Sequence, residues 1–199
     1  MALKIQYNKT FIQQLQRQLN IREKALPTLK SKETALRLEV RNIKQLLAEV
    51  KDKREKQIKK MAAFGSLWQE FGNLIRIAEV KTVIRNIAGV KVPDIDKITF
   101  EESDITLFEQ PAWIPSGKDM MKSLLEIEVQ LQLVKHQFDI LTTARKKTTQ
   151  KVNLYEKVQI PAYREGIRKI KRYLEDQENL SKAAQKIIKN RTSVKEVAL

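Results

Sequence analysis

The residues of this sequence that could bind a phosphate lie in the run PSGKDM, residues 115–120. A Gly-Lys pair of this kind ends a phosphate-binding loop, in which backbone N–H groups and the lysine hold a nucleotide. The glycine that such a loop requires five residues before Gly117 is replaced by Ala112, and no strand with a glycine-rich turn precedes it. The sequence therefore predicts no nucleotide site here.

Histidine, cysteine and carboxylate groups do not form a catalytic or metal-binding pattern either. His136 is the single histidine and the chain has no cysteine, so no histidine cluster or thiolate site can form. An acidic run lacks the Asp-x-Asp-x-Asp-Gly spacing of a calcium loop; it contains Asp94, Asp96, Glu101, Glu102 and Asp104. We expect no catalytic residue, cofactor site or metal site, and an autonomous enzyme is the least favoured class of function.

The positive charge lies at the two ends of the chain. The net charge is +15, but residues 65–117 contain five basic and eight acidic residues, so the flanking segments carry +18. These segments could bind nucleic acid, although they lack interleaved aromatic residues for base stacking. A solvated coiled-coil face and a positive rod inside an acidic protein collar are the other interpretations.

Apolar residues recur at a heptad spacing in both flanking segments. Alternate steps of three and four residues from Ile12 to Met61 meet eleven apolar residues in fifteen positions. A similar series runs from Met120 to Tyr155 and resumes at Ile160. Such a seam is typical of a left-handed coiled coil. The seam residues that we expect to pack in the core are Leu19, Leu36, Val40, Ile43, Leu47, Leu124, Leu131, Phe138 and Leu141.

The predicted fold is mainly α, a long antiparallel two-helix coiled coil with a small mixed insert. Residues 1–62 form the N-terminal helix and residues 118–199 the C-terminal helix with a frayed tail. Residues 63–117, which hold most of the glycines and prolines, form an insert with short helices and a β-hairpin.

Within the insert, the first half of the sequence has the pattern of two short helices or a bend. β-prone runs at residues 90–92, 98–100 and 105–108 predict a hairpin around the polar EES turn. Ser116 and Asp119 are predicted to form a capping pair at the start of the second long helix.

The stretch KKTTQKVNLYEKVQIP, residues 146–161, closely resembles a signature of the D subunit of the V-type and A-type rotary ATPases. NIAGVKVPDI at residues 86–95 is similar to the family's middle segment, and TLKSKETAL at residues 28–36 to part of its first helix. The signature residues that we single out as candidate partner contacts are Lys146, Lys147, Lys151, Val152, Asn153, Glu156 and Pro161.

The resemblance implies a non-catalytic central shaft that couples ATP hydrolysis or synthesis to ion translocation. Its paired terminal helices would enter the hexamer of catalytic A and B subunits. Its other end would meet the F subunit and the funnel-like subunit on the membrane ring. The chain would bind no nucleotide directly, and no nucleic acid is expected. It would be cytoplasmic and peripheral on the cytoplasmic face of the membrane, in keeping with the lack of a run of about 20 apolar residues. A basic coiled coil that binds nucleic acid or acts as a scaffold is the alternative.

An irregularity in the second seam coincides with Pro161. The interval between seam residues Tyr155 and Ile160 is five residues, rather than three or four. Because a proline also removes a helix hydrogen bond, we predict a bend or bulge between Tyr155 and Pro161. In an antiparallel pair this level lies opposite residues 19–29, where Pro27 predicts a kink and Arg22 is the first polar seam residue.

Overall fold

The computed structural model of this chain describes residues 5–69, 71–72, 74–102 and 111–197, with side chains described as far as residue 190. These residues are mainly helical, with long N-terminal and C-terminal helices and a small antiparallel sheet between them, which confirms the predicted fold class. The elements are α1 (Lys9–Ala62), a 3-10 helix (Gly65–Gln69), β1 (Ile75–Ile87), β2 (Val90–Glu102), α2 (Ile114–Asn153), a π-helix (Leu154–Gln159) and α3 (Ile160–Val197).

Helix α1 begins at a side-chain cap. The backbone N–H of Phe11 donates to Oδ1 of Asn8 at 2.6 Å, which satisfies one of the unpaired N–H groups at the helix start. Asparagine is among the residues preferred at this position. The sequence therefore contains a local signal for the helix start just before the apolar seam.

The chain divides into two compact units. The terminal unit comprises Met1–Ser31 and Thr149–Leu199, and the insert unit comprises Lys32–Thr148. The core of the terminal unit is formed by Leu15, Ile167 and Ile170. The core of the insert unit is formed by Leu36, Val40, Ile43, Val92, Val134 and Leu141. Each core draws on α1 and on a C-terminal helix, so the apolar seams are buried against each other.

Within each unit the helices run antiparallel. In the terminal unit, the rings of Tyr7 and Tyr173 lie 4.7 Å apart, whereas Lys30 binds Glu156 at 2.6 Å, so the partner's number falls as the α1 number rises. In the insert unit, Arg54 binds Glu128 at 2.6 Å and Nε2 of Gln57 donates to the carbonyl of Met120. The antiparallel arrangement predicted for the two helices is thus present in both units.

Strands β1 and β2 form a hairpin with a two-residue turn. Ile87 pairs with Val90, and the turn residues Ala88 and Gly89 have φ angles of 51° and 84°. Two positive φ angles match the twist of the strands, and glycine adopts such a conformation without steric cost.

The sequence prediction placed this hairpin wrongly. The residues predicted as two short helices or a bend include all of β1, and Glu101 and Glu102 end β2 instead of forming a turn. The predicted run at residues 105–108 lies outside the described residues. The pairing is irregular at two places, between Ile77 and Glu79, where β1 has an extra residue, and between Lys81 and Thr82, where β2 has one. The hairpin therefore has a weak period-two pattern.

An ion-pair cluster connects the end of the hairpin to α2. The carboxylate of Glu102 binds the ammonium groups of Lys122 and Lys118. The hydrogen bond and charge of Lys122 hold the pKa of Glu102 below its usual range. Because this pKa is depressed in the folded chain, the stabilisation is present above the unfolded pKa and is lost as the pH falls through the folded value.

Helix α2 begins earlier than predicted, at an aromatic cluster. It starts at Ile114, so Ser116 and Asp119 lie inside the helix and the predicted capping pair is wrong. The rings of Trp113 and Trp68 are 5.8 Å apart in an edge-to-face arrangement. Such a packed aromatic pair replaces the side-chain cap as the feature that positions the helix start.

Replacing Gly117 with Ala is expected to lower the free energy of unfolding by about 1–2 kcal/mol, which a urea titration followed by tryptophan fluorescence can measure. A Cβ built on Gly117 would lie 2.8 Å from Cζ3 of Trp113 and 3.3 Å from Cε2 of Phe71, both on rigid rings. This overpacking exceeds the gain of about 1 kcal/mol that alanine brings to a helix.

Gly166→Ala is the matched control, since it is the same change in a helix. A Cβ at Gly166 would meet only Cδ1 of Leu15, at an ordinary 3.4 Å. We therefore expect this variant to equal or exceed the parent in stability by up to about 1 kcal/mol, measured by circular dichroism. If Gly117→Ala proved as stable as Gly166→Ala, the close packing of the aromatic cluster would be contradicted.

Candidate functional site

The helical pattern changes between α2 and α3, in the terminal unit. Leu154–Gln159 is π-helical, and the N–H of Ile160 donates to the carbonyl of Tyr155, five residues earlier. This extra residue in one turn is what a five-residue seam interval requires, and it confirms the bulge predicted between Tyr155 and Pro161. Since Pro161 has no N–H, it cannot form the regular bond to the carbonyl four residues before it, which favours an altered pattern there.

Arg22 of α1 faces this π-helix and is the centre of a polar cluster. Its Nε donates to Oε1 of Gln159 at 2.6 Å, and its Nη1 donates to the backbone oxygen of Gln18 at 3.0 Å and also to the side chain of Gln18. The guanidinium carbon lies 4.8 Å from the ring centroid of Tyr163 and 5.7 Å from that of Tyr155. We call Arg22, Gln18, Gln159, Tyr155 and Tyr163 the Arg22 layer.

The charge of Arg22 is stabilised by neutral groups. Among the described residues, no carboxylate lies within ion-pair distance of Arg22; its bonds go to amide and backbone oxygens and its faces meet two rings. Hydrogen bonds to a charged group and cation–π contacts are both geometrically specific. Such a layer within an apolar seam selects one register of the two helices, since a shift of either helix would separate Arg22 from Gln159.

Two ion pairs at the surface join the same two helices near the layer. Lys30 binds Glu156 and Arg164 binds Glu23, each at 2.6 Å. Exposed pairs of this type contribute little to stability, but they define which residues are level with each other. Pro161 lies between the partners of Arg22 and Glu23, which confirms the level predicted for it. Helix α1 is continuous across Pro27, and the predicted kink there stays a prediction.

The signature residues lie in both units. Lys146 and Lys147 are exposed on α2 in the insert unit. Lys151 and Asn153 are exposed and Val152 half-buried at the end of α2 in the terminal unit. Glu156 is bound by Lys30, and Pro161 is exposed. The role of these residues as partner contacts stays a prediction.

All of the predicted seam residues are buried or half-buried. Those that are buried are Leu36, Val40, Ile43, Leu131 and Leu141. Those that are half-buried are Leu19, Leu47, Leu124 and Phe138. Leu36, Val40, Ile43 and Leu141 belong to one core cluster, and Leu19 packs on the core of the terminal unit.

The sequence prediction missed two polar residues that position helices or strands. Gln159 lies outside the heptad series, so the seam marks Arg22 as polar but does not indicate its partner. Gln137 of α2 is buried and its Nε2 donates to the carbonyl of Pro93 at 2.6 Å, which holds β2 on the helices of the insert unit. Its spacing from Val134 and Leu141, three and four residues away, is the signal that marks it as inward-facing.

A cleft of about 620 Å³ lies beside this contact in the insert unit. Glu39 and Glu126 line it, together with Arg85, which binds Asp94 at 3.0 Å. Among the described residues that line the cleft, the one arginine is already paired and no nucleophile accompanies the carboxylates, so they form no arrangement suited to acid–base or nucleophilic catalysis.

Comparison with known proteins identifies the family. The family model for the ATP synthase D subunit matches residues 12–190. The chain belongs to the ATP synthase D-subunit family. It is 32% identical over 191 residues to the V-type ATP synthase D subunit of Borreliella burgdorferi, which covers 94% of both chains. It is 25% identical over 182 residues to the V-type ATP synthase D subunit of Chlamydia trachomatis, covering 88% of this chain and 90% of the relative.

Family membership confirms the resemblance seen in residues 146–161. As a member of the D-subunit family, the chain is a stalk component of a rotary ATPase complex and not one of its catalytic subunits. The nucleic-acid-binding alternative is not favoured by these relatives. In the part of this D-subunit chain that the structure describes, no helix is long and apolar enough to cross a membrane.

Proposed function

We propose that this chain is the central-stalk rotor shaft that couples ATP hydrolysis or synthesis in a catalytic hexamer to ion movement across a membrane. The observation that carries the proposal is the antiparallel helix pair of the terminal unit, with its apolar core and its Arg22 layer. A shaft that transmits torque must keep its two helices in one register, and both features resist sliding. One face also differs from the others at the π-helix, and a rotor needs such asymmetry to make three equivalent catalytic sites unequal.

The partners follow from this role. The paired terminal helices would lie within the hexamer of A and B subunits, and other parts of the chain would bind the F subunit and the funnel-like subunit on the membrane ring. The chain would then be peripheral, on the cytoplasmic face. Its positive flanking segments, +18 by sequence, fit an acidic protein collar.

The end of α3 supports insertion into such a collar. Every residue from 175 to 190 is exposed, and these include the large apolar residues Leu180 and Ile187. They are seven residues apart and therefore lie on one face of the helix. An amphipathic helix whose apolar residues are exposed in the described part of its unit is suited to bind a partner.

Co-purification from native membranes tests the proposal. We expect the tagged full-length chain to be recovered with ATPase catalytic subunits, and its absence from the complex would overturn the proposed function. A DNA titration tests the alternative. Tight binding with a steep salt dependence would support a nucleic-acid-binding coiled coil, whereas a rotor subunit should bind DNA only weakly at physiological salt.

Removal of residues 180–199 is expected to weaken coupling and leave the rest of the chain folded. The described core residues of the terminal unit extend to Ile170, with Leu174 packed against them, so the truncation removes none of them. The measurement is ion pumping per ATP hydrolysed in the reconstituted complex, with circular dichroism of the truncated chain. Loss of the helical spectrum beyond the deleted residues, or undiminished coupling, would contradict this prediction.

Full-length Leu180→Ser/Ile187→Ser is the matched variant for the truncation. It keeps the length and charge of α3 and removes two exposed apolar side chains. If apolar contact with the collar is what the tail provides, this variant should lose coupling in the same direction as the truncation.

A further inference from the structure

The π-helix exposes two apolar side chains on the outside of the terminal unit. Leu154 is 44% exposed and Val158 is 50% exposed. They are four residues apart, so they are neighbours on one side of the helical turn. Together with Lys151 and Lys157, three residues on either side of Leu154, they form what we call the outer π-face.

The inserted residue explains why these side chains face outward. Within the turn, Tyr155 and Gln159 contact Arg22 and Ile160 is buried, so these three residues occupy the side toward α1. Four residues separate the seam residues Tyr155 and Ile160, whereas two or three separate neighbouring residues of a regular seam. Val158 is one of these four residues and does not lie on the seam. The Arg22 layer lies behind the turn, and the described part of the chain leaves about half of Leu154 and of Val158 accessible.

The charge of the outer π-face is positive and uncompensated. Lys151 and Lys157 are exposed, and within the described part of the chain neither has an ion-pair partner. The one acidic residue of the π-helix, Glu156, is bound by Lys30 of α1. An apolar pair between two such lysines complements a surface in which carboxylates surround an apolar contact.

We propose that the outer π-face is a docking surface for the catalytic head, the hexamer of A and B subunits. On the head, it would bind a site where Asp or Glu residues surround apolar side chains. The inference rests on the proposed function and adds the surface and the partner chemistry. The Arg22 layer supports the face from behind, so docking requires no rearrangement of the turn.

Site-specific crosslinking in the assembled complex tests this surface, because the chain has no cysteine of its own. Leu154→Cys is labelled with a benzophenone maleimide and irradiated within the complex. We expect crosslinks to one of the catalytic subunits, in a peptide that contains both apolar and acidic residues. The matched control is Ile21→Cys, an apolar residue of α1 in the same unit that is 59% exposed.

The yield of crosslinks to a catalytic subunit should be at least five times higher from the Leu154 position than from the Ile21 position. Equal yields would indicate a collar that touches all sides alike and would overturn the inference. Crosslinks from the Leu154 position to a non-catalytic component or to lipid would also overturn it, although a chain that still assembles with catalytic subunits leaves the proposed function intact. A chain that does not assemble at all would overturn both.

Charge reversal gives a second, independent readout. Lys151→Glu/Lys157→Glu is expected to weaken binding of the full chain to the purified catalytic subunits at least tenfold at low salt. The control is Arg17→Glu/Lys24→Glu, which makes the same change in net charge on exposed residues of α1. This variant should weaken binding to the catalytic subunits less than threefold. If the two double variants weakened binding equally, only overall charge would matter and the inference would fail.

Discussion

Replacing Arg22 with Leu is expected to lower the free energy of unfolding by about 2 kcal/mol, although the change restores an apolar residue to the seam. Arg22 donates to Gln159 and Gln18 and lies against the rings of Tyr155 and Tyr163. Leucine would leave two part-buried amides without their donor, in a turn whose geometry is set around a longer side chain. Urea titration followed by circular dichroism measures the change.

A double-mutant cycle separates the contact from the loss of charge. Gln159→Leu alone should also destabilise, whereas Arg22→Leu/Gln159→Leu should recover at least about 1 kcal/mol, because paired removal leaves no unsatisfied polar group at this contact. Arg17→Leu, an exposed arginine on the same helix, is the control and should change stability by less than about 0.5 kcal/mol. Additive effects of Arg22→Leu and Gln159→Leu would contradict the role given to the layer.

The consequence for the rotor is mechanical. Without Arg22, the helices near Pro161 keep their apolar contacts and two exposed ion pairs, which tolerate slippage of one helix along the other more readily than the part-buried hydrogen bond to Gln159 does. An assembled complex with Arg22→Leu should therefore hydrolyse ATP with fewer ions moved per cycle. The same complex with Arg17→Leu should keep the parent ratio.

Replacing Leu141 with Ala is expected to lower the free energy of unfolding by about 2–5 kcal/mol, the largest effect of the changes proposed for this chain. Leu141 is 0% exposed and belongs to the core cluster that contains Leu36 and Val40 of α1. The removed atoms leave a cavity between helices that cannot collapse without moving α1. Both tryptophans of the chain, Trp68 and Trp113, lie in the same unit, so their fluorescence follows its unfolding in urea.

Leu38→Ala provides the comparison on the same helix as Leu36. Leu38 is 59% exposed, and its truncation removes little buried surface. We expect a change below about 0.5 kcal/mol. If the two leucine variants unfolded at the same urea concentration, the antiparallel pairing of α1 with α2 in this unit would be in error.

The helices could be predicted from the sequence because their signal is local and repeated. The apolar residues of the seam recur over many turns, and each repeat independently supports the same phase. Five of the residues on this pattern, Leu36, Val40, Ile43, Leu131 and Leu141, are buried. Arg22 and the five-residue interval after Tyr155 are visible as departures from the same pattern, and the structure places both in one polar layer.

The hairpin could not be predicted in the same way. Most residues of β1 are exposed, so no buried face imposes alternation on the strand, and one extra residue in each strand interrupts the pairing. The turn uses Ala88 and Gly89, a weaker hairpin signal than Asn-Gly. Its position depends on pairing with β2 and on the contact of Pro93 with Gln137, which is 44 residues away.

The sequence by itself determined the long helices, their apolar seams, the place of the extra residue before Ile160 and the family to which the chain is similar. These features depend on residue type and spacing along one helix, which the chain order contains directly. Only the tertiary structure decided that the extra residue becomes a π-helix, that Gln159 binds Arg22, 137 residues away, and that Leu154 and Val158 face outward. The physical reason is that each of these outcomes depends on which side chain of the second helix meets which side chain of the first, and that register is set by packing and hydrogen bonding across the pair.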